Sequence, residues 1–419
     1  MKHLPLAVGG FVLLFVIRFW VVRAFHLIQG YRRVPRIVPE TEIELPASVP
    51  LISVIVPGHN EQAVIAECLQ SVLDQDYPRF ELIFVDDRSQ DRTASIARSL
   101  VEEHPNAKVI SIEELPPGWT GKCYALDTGV AHASGEWLAF LDADSKLHGS
   151  ALSQCYREAV RLNVNMITLS PRFVMNSFWE KALQPAFAAM SCMLFPLGQV
   201  NDPNSEVATA NGMFYLISRF AYQQIGGHHD VKGLAVEDIG IGKRVKACGL
   251  GLVFANGREV LQTRMYTRFS DIINGWTRIL SASMNYEIST VVKWLIIHIL
   301  MSVPVFVAAM AMYVPGAMAI WPNGWYALPV VCGILMTLVP YFFFREMGVP
   351  SKYTILLCVG QLMQIWVFAV IVKRILCKDA LQWRGTTYDT NRYQPTRLDP
   401  IESNVYAASN RPTALEKAS

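Results

Sequence analysis

The sequence predicts an α/β protein with a mostly parallel sheet flanked by helices, one membrane helix before it and about three after it. Between residues 51 and 141, β-branched apolar runs alternate with helical patterns, which is typical of parallel strands joined by right-handed crossovers. Of the 419 residues, 52% are hydrophobic and only 17% are charged, which is unusual for a soluble protein. No Asp, Glu, Lys or Arg occurs from Trp294 to Phe344 or from Tyr353 to Val372. Uncharged segments of this length indicate membrane spans.

These patterns divide the chain into five segments. Residues 1–28 are expected to form an uncleaved transmembrane anchor, because no small-residue cleavage site follows the apolar stretch. Residues 29–50 form a Pro-rich linker, residues 51–290 the α/β domain, and residues 377–419 a polar tail. Residues 291–376 contain the predicted spans, near 293–314, 325–344 and 354–373.

The basic residues predict the orientation in the membrane. Five arginines crowd the far side of the first span: Arg18, Arg23, Arg32, Arg33 and Arg36. By the positive-inside rule they place the α/β domain in the cytoplasm, as part of a multi-pass protein of the cell (inner) membrane. Three later crossings would leave the basic tail outside, so one C-terminal segment is expected to be re-entrant or interfacial. The sequence leaves open which one.

Several function classes are disfavoured. The net charge is +2 and no basic block is interleaved with aromatic residues, so nucleic acid is not an expected partner. The eight cysteines form no Cys-x-x-Cys pair and are typical of reduced core residues. The first strand is not followed by Gly-x-Gly-x-x-Gly, and no P-loop motif occurs, which argues against dinucleotide oxidoreductases and P-loop enzymes.

Polar residues follow three predicted strands. The strands cover residues 51–56, 81–85 and 136–141, and a further strand covers 108–112. The polar loops are 58–61, 86–89 and 142–144. Because the carboxyl ends of parallel strands meet at one edge of a sheet, the three loops should converge there, which predicts a nucleotide site.

Asp142 and Asp144 are the central pair of this predicted site. They are spaced i, i+2 at the end of an apolar strand, so both side chains point to the same side. Two carboxylates so close favour a hard cation, Mg²⁺ or Mn²⁺, which also binds substrate phosphates. Lys122 follows Gly121 at the start of a helix, where a cation and the helix N-terminus together attract phosphate.

Five ordered motifs resemble family 2 glycosyltransferases. They are residues 54–61 (VIVPGHNE), 84–91 (FVDDRSQD), 121–126 (GKCYAL), 140–144 (FLDAD) and 236–238 (VED). The flanking membrane segments and residues 263–278 narrow the resemblance to bacterial carotenoid- and hopanoid-associated glycosyltransferases, with ceramide glucosyltransferases as more distant relatives. The tail segment 382–388 is similar to a Trp-Lys/Arg-Gly-Arg-x-Tyr ending in that group, with Thr386 at its second arginine.

The resemblance implies a GT-A fold, a nucleotide-sugar donor, most often a UDP-sugar, a divalent cation and inversion at the anomeric carbon. It implies that Asp87 contacts the base or ribose, helped by Pro57, Asn60 and Glu61. Asp142 would then face the ribose, and Asp144 would hold the metal.

Asp238 is the expected catalytic base, taking the proton of the acceptor as it attacks the anomeric carbon. Its neighbour Glu237 is expected to support it. Carboxylates at this position are also favoured by the dipole of the helix that follows. Relatives support the diphosphate with a Gln/Arg-x-x-Arg-Trp segment, whose nearest match is residues 275–279. Arg278 is therefore a candidate diphosphate ligand, and Trp276 is expected to line the acceptor path or to anchor at the bilayer interface.

The predicted function is transfer of a sugar from a nucleotide diphosphate to a lipid-soluble hydroxyl or carboxyl acceptor in the bilayer. A processive polysaccharide synthase is the alternative within the class, and a non-catalytic membrane protein that binds nucleotide sugars is the alternative outside it. Residues 183–200 are apolar but contain two prolines, so they fit an interfacial helix or a core helix equally well. Residues 272–284 are a second candidate for lying along the membrane.

Overall fold

The computed structural model describes residues 4–40, 44–46, 48–313, 327–346, 348–379, 381–383 and 386–388. Two parts of the chain lie outside these ranges: the connection between the first two predicted C-terminal spans, and the tail beyond residue 388.

The centre of the molecule is a seven-stranded sheet in the order β3-β2-β1-β4-β8-β6-β9. Its strands are β1 (Ile52–Gly58), β2 (Phe80–Asp87), β3 (Ala107–Ile112), β4 (Trp137–Leu141), β6 (Met166–Ser170), β8 (Phe214–Ser218) and β9 (Leu252–Asn256). Strands β1 to β4 are parallel, β8 runs antiparallel to both of its neighbours, and β6 and β9 are parallel. The predicted mostly parallel α/β sheet is confirmed.

Two smaller sheets complete the β-structure. The first joins β5 (Ser145–Leu147), β7 (Arg172–Phe173) and β10 (Leu261–Thr263), and the second is a hairpin of β11 (Leu381–Trp383) and β12 (Thr386–Tyr388). Strand β5 begins directly after the Asp142–Asp144 motif and pairs with β10, so the small sheet closes the end of β4.

Helices cover both faces of the main sheet. They are α2 (Ile65–Leu73), α3 (Thr93–Val101), α4 (Gly121–Ala131), α5 (Ala151–Arg161), α8 (Arg219–Gln224) and α9 (Glu237–Ala247). All seven residues of β1 are buried, as expected for a strand with a helix layer on each side. The buried side chains form one hydrophobic cluster on each face of the sheet, and these two clusters hold the strands in place.

A further group of helices packs beside the sheet: α6 (Phe178–Leu194), α7 (Leu197–Val200) and α10 (Phe269–Ser283). Helix α6 begins with a capping box in which Ser177 and Glu180 exchange hydrogen bonds. Its residues Leu183 and Phe187 are fully buried against α10 and a later helix, so the apolar stretch that begins at residue 183 contributes to a hydrophobic cluster.

Four long helices occupy the predicted membrane segments: α1 (Leu4–Arg32), α11 (Ile288–Tyr313), α12 (Ala327–Glu346) and α13 (Leu357–Cys377). In the described part of the chain, one helical stretch, Ser351–Cys377, is long and apolar enough to cross a membrane, and Gly10–Val22 and Ile288–Ser302 are shorter apolar stretches. The number of crossings stays a prediction.

The segment between α1 and the α/β domain is fixed to the edge of the main sheet. The backbone N–H of Ile37 donates to the carbonyl of Asn256 at 2.9 Å, and the N–H of Asn256 donates to the carbonyl of Pro35 at 2.8 Å. Tyr31 and Val34 are buried in the cluster on one face of the sheet. The predicted linker therefore begins with a short extension of the sheet.

Candidate active site

The carboxyl ends of β1, β2 and β4 open into one cleft, as the three polar loops predicted. Its lining comprises Pro57, Gly58, His59, Glu61, Asp87, Thr120, Gly121, Lys122, Asp142, Ala143, Asp144, Met213, Ala235, Glu237, Met265, Tyr266 and Arg278. The structure thus brings together residues separated by more than 200 positions in the chain. Of the residues predicted for the site, Asn60, Asp238 and Trp276 are not part of this lining.

Lys122 is the electrostatic centre of the cleft. Its Nζ lies 2.7 Å from an oxygen of Asp142 and 2.8 Å from an oxygen of Glu237. Helix α4 presents the lysine from its first turn, which Thr120 caps by accepting a hydrogen bond from the N–H of Cys123. A donor diphosphate would meet one ammonium group and a helix N-terminus at this point.

Burial and neighbouring charges shift the pKa values of these side chains in opposite directions. Burial alone would lower the pKa of Lys122, but the surrounding carboxylates outweigh it and hold that pKa well above its usual value. Burial alone would raise the pKa of Glu237, yet the ion pair with Lys122 keeps it below its ordinary value. Burial raises the pKa of Asp142 to about 6, although Lys122 partly offsets the effect. Lys122 and Glu237 therefore form an ion pair in the cleft, with both groups charged near neutral pH.

Asp238 lies beside this ion pair, at the first turn of α9. One carboxylate oxygen accepts a 2.6 Å hydrogen bond from the N–H of Gly212, and the other accepts one from the N–H of Ile239 at 2.8 Å. A Cβ atom on Gly212 would lie 3.0 Å from Asp238 and 3.1 Å from Lys122, so both groups surround this glycine. Burial, followed by repulsion from Glu237, raises the pKa of Asp238 to about 6. A carboxylate with this pKa is suited to accept a proton near neutral pH.

Asp144 lies in the cleft two residues beyond Asp142. Its carboxylate is within 3.3 Å of the hydroxyl of Thr263 and 3.5 Å of that of Ser145. No group of three or more His, Cys, Asp or Glu side chains suited to a metal occurs among the described residues. Mg²⁺ is commonly held by only one or two carboxylates together with substrate phosphates, so this oxygen donor set fits a cation that binds with the donor.

The loops after β1 and β2 are tied to each other. The ring of His59 hydrogen-bonds the carbonyl of Asp87, and the side-chain oxygen of Asn60 accepts the N–H of Gln90 at 2.8 Å. Asn60 adopts a left-handed backbone with φ of 56°, which asparagine tolerates better than most residues. Asn60 therefore shapes the loop, whereas the buried carboxylate of Asp87 lines the cleft.

Arg278 reaches the cleft from α10. Its guanidinium donates to the carbonyl of Ala235 and, at 3.4 Å, to the hydroxyl of Tyr266. The Tyr266 ring packs directly over Gly275, where a Cβ atom would lie 2.4 Å from the ring. The glycine at the first position of the degraded Gln/Arg-x-x-Arg-Trp segment thus makes room for an aromatic side chain from the preceding loop.

Trp276 points away from the cleft. It is 4% exposed, stacks on Phe187 with ring centroids 5.2 Å apart, and donates its indole N–H to Gln184 at 2.8 Å. Gln184 in turn donates to the carbonyl of Met265 at 2.9 Å. Trp276 is therefore a packing residue between α6 and α10 that supports the loop containing Met265.

Sequence reasoning assigned no role to His59 or Tyr266, although both line the cleft. His59 belongs to the first motif, so its place after β1 was a usable signal. Tyr266 belongs to residues 263–278, which carry part of the resemblance, but its place in the cleft depends on the packing of α10. The neighbouring His228 is fully buried between the hydroxyls of Tyr215 and Tyr222, and burial lowers its pKa to about 3.

Comparisons with known proteins agree with this geometry. The family model described as "Glycosyl transferase family 2" matches residues 53–226. The matched residues include six of the seven strands of the main sheet, among them the three whose ends form the cleft.

Curated proteins of similar sequence have more specific names than the family model. The chain is 28% identical over 257 residues to a 4,4'-diaponeurosporenoate glycosyltransferase of Staphylococcus haemolyticus, a match over 58% of this chain and 66% of the relative. It is 26% identical over 241 residues to the protein of the same name from Staphylococcus aureus, covering 55% of this chain and 60% of the relative. The matches thus span less than two thirds of these relatives.

A solved structure supports the fold. A mannosyltransferase from Pyrobaculum calidifontis, determined with GDP-Man and Mn²⁺, aligns with a TM-score of 0.50 at 16% identity, over 87% of this chain and 99% of that structure. At this identity the likeness shows the GT-A fold of the domain.

Proposed function

We propose that this chain is a membrane-bound inverting glycosyltransferase that moves a sugar from a nucleotide diphosphate to a lipid-soluble hydroxyl or carboxyl acceptor. The observation that carries the proposal is the convergence of Lys122 with Asp142, Asp144, Glu237 and Asp238 at the end of β4. The names of the curated relatives and the nucleotide sugar bound by the structural neighbour support the donor and acceptor classes.

The donor end of the reaction uses charge neutralisation. Asp87 takes the nucleoside, and Lys122 and Arg278 face the diphosphate. Asp144 would hold the divalent cation, Mg²⁺ or Mn²⁺, with Asp142 beside it, and the cation would supply positive charge next to the diphosphate. When the phosphates bind, Lys122 gains anionic partners beyond Asp142 and Glu237.

The acceptor end requires no covalent nucleophile, and a hydroxyl acceptor requires one base. Asp238 removes the hydroxyl proton as the acceptor oxygen attacks the anomeric carbon on the face opposite the leaving group. A carboxyl acceptor is already ionised near neutral pH and attacks without this proton transfer. The amides of Gly212 and Ile239 fix the orientation of its carboxylate, and Glu237 keeps Lys122 in place. A substrate that stays in the bilayer explains why the domain is joined to long apolar helices at both ends.

The test uses membranes with the wild-type protein or Asp238→Asn, incubated with radiolabelled UDP-glucose, a parallel panel of other nucleotide sugars, Mn²⁺ and a total lipid extract. We expect label in the organic phase for the wild type and a loss of about 10²- to 10⁴-fold for the variant, as for removal of a general base. Retained nucleotide-sugar binding by the variant shows that the loss is chemical. Label in an insoluble polymer would instead favour a polysaccharide synthase, and binding without turnover by the wild type across the whole panel would favour a non-catalytic protein.

Metal use is tested separately. Asp144→Asn should weaken Mn²⁺-dependent binding of the nucleotide sugar, measured by calorimetry at several metal concentrations, because it removes a charged oxygen ligand. Glu103→Gln, which removes an exposed carboxylate outside the cleft lining, is the control. An unchanged metal titration for Asp144→Asn would remove this residue from the metal site.

A further inference from the structure

The first half of α13 is fixed to the catalytic domain. Helix α6 lies between β7 and β8 in the chain. Both strands belong to the α/β domain, so α6 is part of that domain. A Cβ atom on Gly360 would lie 2.6 Å from the Cβ of Ala186, which shows how closely α13 approaches α6. Gln364 donates to the carbonyl of Ala186 at 2.8 Å. The contact is therefore close and directional.

The second half of α13 is fixed to the same domain by a different helix. Helix α10 carries Arg278 into the cleft, and on its other side it shares a hydrophobic cluster with Phe368 and Ile371. Phe269 at the start of α10 stacks on Trp366 with the two rings only 5° from parallel. Strand β11, which follows α13, contacts α10 as well.

These contacts favour an α13 that lies beside the catalytic domain over one that crosses a bilayer. A helix of 21 residues is about 30 Å long, close to the thickness of the hydrocarbon layer. If α13 crossed, its two ends would lie on opposite faces of the membrane. Its contacts with α6 and α10, together with the contact of β11 with α10, instead keep both ends beside the catalytic domain.

Helix α11 also packs along α13, and the face of α13 that α6, α10 and α11 leave uncovered is apolar. Ile355, in the turn before the helix, is 81% exposed, Leu362 is 48% exposed and Trp366 is 45% exposed. With Cys358 and Ala369 they recur every three or four residues and form one continuous stripe.

Basic residues border the stripe at both ends. Lys352 precedes it, and Lys373, Arg374 and Lys378 follow it, while no acidic residue occurs between residues 347 and 378. Basic residues at both ends of an apolar face favour contact with the headgroups of an anionic membrane.

We infer that α13 lies along the membrane surface beneath the catalytic domain instead of crossing the bilayer, with its stripe in contact with anionic phospholipid. The basic C-terminal end then stays on the same side as the catalytic domain, in agreement with the positive-inside rule. The arrangement also places α13 between the lipid and helices α6 and α10, which form the wall behind the cleft.

The side of the membrane on which each end of α13 lies is tested with a membrane-impermeant maleimide on sealed vesicles of known orientation. Lys352→Cys and Lys378→Cys are placed separately in a full-length background in which Cys358 and Cys377 are serine. The exposed Glu103→Cys on the catalytic domain is the reporter, and the background without an added cysteine gives the blank. Labelling of all three from the same face is expected. Labelling of the two α13 positions from opposite faces would overturn the inference.

Contact of the stripe with phospholipid is tested with nitroxide spin labels at Leu362, Trp366 and Leu376 of the full chain, in vesicles of phosphatidylglycerol and phosphatidylcholine. The three should lie at one shallow depth, whereas a crossing helix would separate Leu362 from Leu376 by about 20 Å. A depth difference of that size overturns the inference. Two other outcomes also overturn it. Shielding of the labels from both oxygen and a water-soluble quencher would mean that a protein partner covers the stripe. Full access of the water-soluble quencher would mean that the stripe faces water. Depths unchanged in pure phosphatidylcholine would refute the preference for anionic lipid.

Discussion

At the scale of single residues, Lys122 decides the charge state of the cleft. Three carboxylates approach it, and without this ammonium group Asp142, Glu237 and Asp238 would be like charges in a small buried volume. Even with this ammonium group present, burial and repulsion from Glu237 raise the pKa of Asp238 to about 6, and burial raises the pKa of Asp142 to about 6 as well. In the proposed mechanism, Lys122 therefore balances the charge of both the donor-binding carboxylate Asp142 and the base Asp238.

The raised pKa predicts the pH dependence of transfer. Asp238 acts as a base only when ionised, so kcat/KM should fall as the pH drops through about 6 and should level off above it. The profile is measured between about pH 5 and pH 8 with donor binding followed in parallel, because Asp142 also has a pKa raised to about 6. A transfer profile that only tracks donor binding would assign the dependence to Asp142.

At the scale of elements, α10 is the helix that connects the cleft to the apolar part of the molecule. One side supplies Arg278 and, through Gly275, the space for Tyr266, while the opposite side carries Trp276 into the cluster with α6 and α13. The amphipathic pattern of residues 272–284 predicted a surface for membrane. In the structure that apolar face is covered by two other helices.

The close approach of α6 and α13 gives a prediction at this scale. Gly360→Val should lower the stability of the detergent-solubilised protein by about 1–3 kcal/mol, because the added atoms collide with Ala186 and the carbonyl of Ala182. Thermal unfolding measures the loss. Cys358→Val, two residues earlier on the exposed face, is the matched control and should unfold near the wild-type temperature. Equal melting temperatures for the two variants would argue against the tight contact.

At the scale of the whole molecule, the segment after α1 couples the N-terminal helix to the catalytic domain. It pairs with the end of β9 and buries Ile37 in the core on one face of the sheet. A chain fixed in this way holds the cleft at a constant position relative to α1. This rigid connection suits an enzyme whose second substrate is expected in the membrane.

Ile37→Ala tests this coupling. The side chain is 3% exposed, so its truncation should cost about 2–5 kcal/mol of stability, as for other buried isoleucines. Val38→Ala, the neighbouring and only partly buried position, should cost clearly less. Chemical denaturation followed by tryptophan fluorescence compares the two variants. Similar losses would mean that residues 35–37 are not an integral part of the fold.

The sequence by itself determined the α/β class, the strands β1 to β4 and the convergence of their polar ends. These features depend on local rules: β-branched runs form buried strands, and parallel strands end at one edge of a sheet. The motif positions of Asp87, Lys122, Asp142 and Asp144 placed all four in the cleft for the same reason.

Only the tertiary structure decided where the apolar helices go and what Trp276, Tyr266 and Asn60 do. Hydrophobic periodicity identifies an apolar face but does not distinguish lipid from another helix as the surface that covers it. Packing against α6 and α13 turned Trp276 away from the cleft, and the space left by Gly275 brought Tyr266 into it. These outcomes depend on shape complementarity between segments that are distant in the chain, which local sequence patterns do not encode.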